Sequence, residues 1–227
     1  MQAMSDGVMN DSVMSDGIEI RRAVVSMFQA NCFAVRVGPQ GQGFIIDPGD
    51  EPDVIVELVR ETGLEPEAIL LTHGHIDHTN AAGELRRRYR SRVICHRADR
   101  AMVEEAQQPT LWDLVRNPCP VDQELNGAAN LRIGGCDVEV IHTPGHTAGS
   151  VCYRIGPYLF TGDTLFKGSI GRTDLPGGSD VDMMNTLGKT ICALDDRLMV
   201  YPGHGPATTI GEEKELNPFL QGIRKDR

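Results

Sequence analysis

The chain has 227 residues, 40% of them hydrophobic and 24% charged, the composition of an ordinary globular protein with enough chain for a substantial core. Its 22 Lys and Arg against 32 Asp and Glu give a net charge of −10, which argues against nucleic acid or an anionic membrane as the main partner. No run reaches the apolar length that spans a bilayer, and the N-terminus lacks the basic and apolar regions of a secretory signal, so a cytoplasmic protein is expected.

Residues 1–16 read as a flexible leader, in which the tetrapeptide MSDG begins at Met4 and recurs from Met14; residues 17–227 form one domain. IEIRRAVVSM, CFAVRVG and GFIIDPG (18–49) read as strands ended by glycine or proline. EPDVIVELVRETG (51–63) predicts a helix, with Val54 and Leu58 at helical spacing and Gly63 as its stop. AILLTH (68–73) is continuously apolar, as in a strand buried on both faces. A helix over 80–90, a strand over 92–96 and a helix over 97–106 follow. QQPTLWDLVRNPCPVDQELNG (107–127) is looser, holds the only Trp, and is placed to border a pocket. NLRIGG, CDVEVIHTPG, SVCYRIG and YLFTGD predict four more strands. The chain closes with a helix over 179–194, a strand over 198–205 and one short helix over 210–220. Strands and helices therefore appear in two successive sets, a mixed α/β layered pattern. Cys32, Cys95, Cys119, Cys136, Cys152 and Cys192 are scattered without a CxxC, as expected of buried free thiols. The arginine-rich run LRRRYRSR (85–92) reads as the solvated face of a helix.

Chemistry concentrates in LLTHGHIDH, IHTPGHT, LFTGD and VYPGHG. Each follows an apolar strand and lies in a glycine-rich turn, where side chains distant in sequence can converge. Imidazole and carboxylate suit a divalent transition metal. His73 and His75 lie two apart on extended chain and can face one way, whereas the adjacent Asp77 and His78 must face differently. That favours two metal sites, with His146 and His204 each completing one and Asp163 able to bridge them. Asp47 in IIDPGD sits where it could orient a ligating histidine. His96 and His142 read as structural.

The ordered set HGHIDH, HTPGHT, TGDTLF and YPGHGP resembles the metallo-β-lactamase superfamily. The resemblance implies an α/β fold, an αββα sandwich of two mixed sheets with helices outside and a two-metal catalytic site at one edge. Carried over by motif, one site is His73, His75, His146 and Asp163, and the other is Asp77, His78, His204 and Asp163. Two divalent ions are implied, zinc first, with iron or manganese as alternatives. GDTLFKGSIGRTDLPGG (162–178) and YPGHGPATTIGEEKELNPFL (201–220) are similar to the glyoxalase II-like hydrolases, in particular the short bacterial hydroxyacylglutathione hydrolase type. That type implies attack of a metal-bridging hydroxide on a small-molecule thioester such as a glutathione conjugate, with Asp77 helping to orient the hydroxide. The C-terminal helical extension of full-length glyoxalase II is not expected here. The family's basic residue in its glycine motif is matched by Arg172, the expected anchor for substrate, while a nearby aromatic is replaced by Thr173 and Asp174. The alternative is a persulfide dioxygenase of the same superfamily, which shares a GRTD-like stretch and needs one iron on His73, His75, His146 and Asp163.

Overall fold

A computed structural model describes residues 13–15, 17–105 and 117–225. Two mixed sheets pack face to face with helices on both outer faces, the expected αββα sandwich. The first sheet runs in chain order through β1 (Val13–Ser15), β2 (Ile18–Val25), β3 (Ala30–Val37), β4 (Gln42–Ile46), β5 (Glu65–Leu70), β6 (Arg92–His96) and β7 (Gln123–Leu125). Strands β1 to β4 are antiparallel, and β4 to β7 are parallel. Next come β8 (Ala129–Ile133), β9 (Cys136–His142), β10 (Val151–Ile155), β11 (Tyr158–Gly162), a hairpin of β12 (Leu165–Phe166) and β13 (Ser169–Ile170), then β14 (Met199–Pro202) and β15 (Thr208–Thr209). The second sheet takes the order β15-β14-β11-β10-β9-β8. The helices are α1 (Pro52–Thr62), α2 (Ile76–Thr79), α3 (Ala82–Tyr89), α4 (Arg100–Glu104), α5 (Asp180–Asn185), α6 (Ile210–Leu216) and α7 (Pro218–Lys225).

The two-residue period of a strand sorts the core. Phe33, Val35, Phe44, Ile46, Leu70, Ile94, Tyr153 and Phe160 point between the sheets. Their neighbours Cys32, Ala34, Ile45, Ile69, Val93 and Cys95 point outward and pack with Ile55, Leu58 and Leu85 of α1 and α3. Cys152, Leu159 and Val200 do the same beneath Met183, Ile210 and Leu220. Because both faces are covered, these strands read as unbroken apolar runs. At one edge the sheets are stitched together: Tyr153 donates to the Leu71 carbonyl at 2.8 Å, and Val151 N–H to the Thr72 carbonyl at 2.8 Å. The histidine loop of the first sheet starts at that seam.

Five expectations change. Val13–Ser15, assigned to the leader, pair with β2; residues 1–12 and 16 lie outside the described residues. In the looser segment, Gln123–Leu125 add a strand to β6, while residues 107–116, Trp112 among them, lie outside the description. The last helix is two helices, because Pro218 has no N–H to continue α6 and instead opens α7, where Asn217 Oδ1 accepts from Phe219 N–H at 3.1 Å. The helix expected over 179–194 begins at the Ser179 cap, then widens to a π turn over Thr186–Thr190 and tightens to a 3-10 turn over Ile191–Ala193. Among the described residues the cysteines are free thiols: Cys32, Cys95, Cys119 and Cys152 are buried, while Cys136 and Cys192 are partly exposed, short of the burial expected of them.

Candidate metal centre

Four chain segments meet at the sheet edge. His73 and His75 follow β5, and Asp77 and His78 sit in α2 directly after them. His146 follows β9, Asp163 follows β11, and His204 follows β14. One group is His73, His75 and His146, with ring centroids 4.6–4.8 Å apart and His75 Nδ1 at 2.8 Å from His146 Nε2. The other is Asp77, His78 and His204: His78 Nε2 is 3.2 Å from His204 Nε2, and Asp77 Oδ2 is 3.5 and 3.3 Å from those two nitrogens. Asp163 lies between the groups, with Oδ1 at 3.4 Å from His78 Nε2 and Oδ2 at 3.5 Å from His146 Nε2 and 3.6 Å from His204 Nε2.

The remote ring nitrogens fix which atoms face the centre. A carbonyl only accepts, so His146 Nδ1 must donate to Arg172 O at 2.6 Å, and His204 Nδ1 to Gln29 O at 3.2 Å. His78 Nδ1 meets Asp47 Oδ2 at 3.1 Å, and His73 Nδ1 meets Thr72 Oγ1 at 3.1 Å. In these four residues Nε2 is left for the centre; in His75 it is Nδ1. Asp47 is itself locked, accepting from Thr72 N–H at 2.7 Å and Thr72 O–H at 2.5 Å.

Two atoms test whether a metal fits. His73 Nε2 and Asp163 Oδ1 are buried without a hydrogen-bond partner among the described residues. Such orphans are rare in folded proteins, and a cation answers both at once. Ligands about 2.0–2.2 Å from one tetrahedral ion lie roughly 3.3–3.6 Å apart; the contacts of Asp77 and Asp163, at 3.3–3.6 Å, match that spacing, while His75 and His146, at 2.8 Å, stand closer. Gly203 is needed for the approach, because a Cβ there would sit 2.3 Å from Asp163 Oδ1 and 2.8 Å from His78 Cε1.

Charge is unevenly spread over the two groups. Burial pushes His73 well below the usual imidazole range, and the surrounding histidines push the same way, so it is a neutral donor. Burial also works against a charged His78, but Asp77, Asp163 and Asp47 outweigh it and hold its pKa at about 10. Asp77 is held far below the usual carboxylate range, since His78 and His204 overcome the effect of burial. His204 is raised, with Asp77 and Asp163 outweighing its burial. Without an ion, protons on the second group balance the carboxylates.

The sequence profile of the metallo-beta-lactamase superfamily matches residues 25–204, a span that contains every residue of both groups. The chain belongs to the metallo-beta-lactamase superfamily. It is 34% identical over 204 residues to the hydroxyacylglutathione hydrolase GloC of Haemophilus influenzae, covering 86% of this chain and 95% of that protein. Among solved structures it is similar to the BLEG-1 B3 metallo-beta-lactamase, with TM-score 0.84 and 35% identity over 89% of this chain and all of the other. It is also similar to a di-iron-bound form of TTHA1623, with TM-score 0.78 and 36% identity over 88% of this chain and 99% of the other. These relatives mark the chain as a metal-dependent hydrolase of the superfamily.

Around the superfamily's metal edge the other expected residues fall differently. Arg172 contributes its carbonyl to His146, but its guanidinium is largely exposed and forked onto Asp174 at 2.7 and 2.8 Å. His142 and His96 stay out of the cluster; their rings stack on one another at 4.4 Å, and His142 Nε2 donates to the Ala148 carbonyl at 3.0 Å. A shallow recess beside Asp77 is lined by Ser26, Met27, Phe28, Asp50, Ile76 and Asn80. Its lip is the β2–β3 turn, whose Gln29 carbonyl holds His204. Asp99 was not among the motif residues, yet its buried carboxylate accepts from Gly74 N–H at 2.8 Å, Thr147 O–H at 2.7 Å and Gly149 N–H at 2.8 Å. In sequence it is one acid in RADRAM, with no glycine turn or histidine beside it to mark it.

Proposed function

We propose that the chain hydrolyses thioesters of the S-lactoylglutathione type, and that His73, His75 and His146 hold one divalent ion, Asp77, His78 and His204 a second, with Asp163 shared. Zinc heads the candidates, followed by iron and manganese. The observation that carries the reading is the position of Asp163, whose Oδ1 lies 3.4 Å from His78 Nε2 and whose Oδ2 lies 3.5 Å from His146 Nε2 and 3.6 Å from His204 Nε2, so that one carboxylate reaches both groups. A bound pair of ions supplies Lewis acidity for a carbonyl and a nucleophilic water at neutral pH.

The chain's own residues do the rest. The Asp47, Gln29 and Arg172 acceptors set the histidine rings before any ion arrives. Asp77, beside His78 and His204 at the centre, accepts a hydrogen bond from the attacking water and so directs its lone pair at the carbonyl. A thioester suits such a site because a thiolate leaves without needing a proton. The recess at Ile76, Met27 and Phe28 adjoins Asp77 and offers apolar surface to the acyl side. Arg172 is the candidate anchor for a substrate carboxylate, which must exchange with Asp174.

A one-iron dioxygenase would use the first group alone. The second group argues for the hydrolase, because its three donors are assembled as closely as those of the first. The test is a panel of S-lactoylglutathione, a chromogenic β-lactam and glutathione persulfide with oxygen uptake recorded. Hydrolysis of the thioester well above the other two supports the reading. Oxygen consumption on the persulfide, or β-lactam turnover without thioester turnover, overturns it.

A further inference from the structure

Asp99 lies at the end of a 3-10 turn (Arg97–Asp99) after β6, on neither of the loops that carry the histidines, and it is 1% exposed. Its three hydrogen bonds reach both of those loops. Gly74 separates His73 from His75 in the loop after β5 of the first sheet. Thr147 follows His146, and Gly149 lies two further on, in the loop after β9 of the second sheet. Thr147 O–H is also 2.8 Å from Ser150 Oγ, which fixes it in turn. The fit is close enough to require glycine: a Cβ on residue 149 would lie 2.4 Å from Asp99 Oδ1. His78 and His204 are braced elsewhere, through Asp47 and Gln29.

We propose that Asp99 is a positioning residue for one metal subsite only: by tying Gly74 to Thr147 and Gly149, it holds His73 and His75 at ligating distance from His146. The proposal rests on the ligand sets assigned above. A carboxylate is the right group for this place. Three donors converge on two oxygens, and a side-chain amide would turn an N–H toward one of those donors. Removing such a support typically costs about 10–100-fold in metal affinity.

The experiment is zinc binding to metal-free protein, read by competition with a chromophoric chelator, which gives two stepwise constants. His146→Ala and His204→Ala first assign each constant to a subsite. If neither variant removes one ion selectively, the ligand assignment itself fails, and this inference with it. Asp99→Asn should weaken the His73–His75–His146 ion by about 10–100-fold and leave the other within about three-fold. Thr147→Val should weaken the same ion to a smaller degree, and Thr147→Ser, which restores the hydroxyl, should recover most of it. The Thr147 pair decides the matter if Asp99→Asn does not fold. Equal loss at both subsites, no loss at either, or the same affinity for Val and Ser at 147 would overturn the proposal.

Discussion

Asp47 Oδ2 stands 3.1 Å from Nδ1 of His78, on the ring nitrogen opposite the one that meets His204 and Asp163. The carboxylate follows β4 and adopts a left-handed backbone, φ 50°, which turns it back beneath the histidine loop. Asp47→Asn keeps the shape but replaces an acceptor with an amide. It should lower affinity for the ion on Asp77 and His78 by about 10–100-fold, measured by chelator competition. Unchanged affinity would reduce Asp47 to a turn residue.

His78 makes metal uptake depend on pH. Its pKa is raised to about 10 in the folded, metal-free protein, against about 6.5 for an unfolded histidine. A raised value stabilises the metal-free fold fully below about pH 6.5, and that contribution fades as pH rises through about 10. An ion must displace this proton, so affinity at the second group should climb about ten-fold per pH unit between pH 7 and 9. His73, depressed by burial, is already neutral there and adds no such slope. Chelator competition at three pH values checks this; equal slopes at both subsites would contradict it.

His142 and His146 lie four residues apart, but only His146 faces Asp163, at 3.5 Å. His146→Ala should therefore reduce zinc from about two ions per chain toward one and remove most hydrolysis. His142→Ala and His96→Ala break a stacked pair outside the cluster and should leave zinc content intact. Elemental analysis after dialysis distinguishes them, and loss of zinc from His142→Ala would show the ligand set to be wrong.

Arg172 is forked onto Asp174, so its use by substrate is a competition. Arg172→Ala should raise KM for S-lactoylglutathione about ten-fold with little change in kcat, the pattern of lost uniform binding. Asp174→Ala frees the guanidinium and should lower KM. Steady-state kinetics on both variants gives the answer; if neither moves KM, Arg172 serves only through the carbonyl that holds His146.

The residues that converge at the sheet edge were legible because each sits at the end of an apolar strand in a turn with its own signature: HGHIDH, PGHT, TGD and PGHG. The sandwich was legible for a related reason, since strands such as β5 and β11, covered on both faces, advertise themselves as short apolar runs. What escaped was whatever depends on a partner distant in sequence. β7 is three residues long and exists because β6 offers an edge to pair with. Asp99 acts on residues 25 to 50 positions away and has no local pattern. The π turn at Thr186–Thr190 leaves the apolar spacing of the helix nearly unchanged, so periodicity cannot expose it. The exposed pairing of Arg172 with Asp174 was invisible because a motif specifies residue type and not the direction of a side chain.

We propose a hydrolase that needs two ions on two sets of residues. Titrating zinc into metal-free protein while recording hydrolysis of S-lactoylglutathione tests it most directly. The rate should rise to a plateau at about two equivalents of zinc per chain. A plateau at one equivalent, or a fully loaded protein that leaves the thioester untouched, would contradict it.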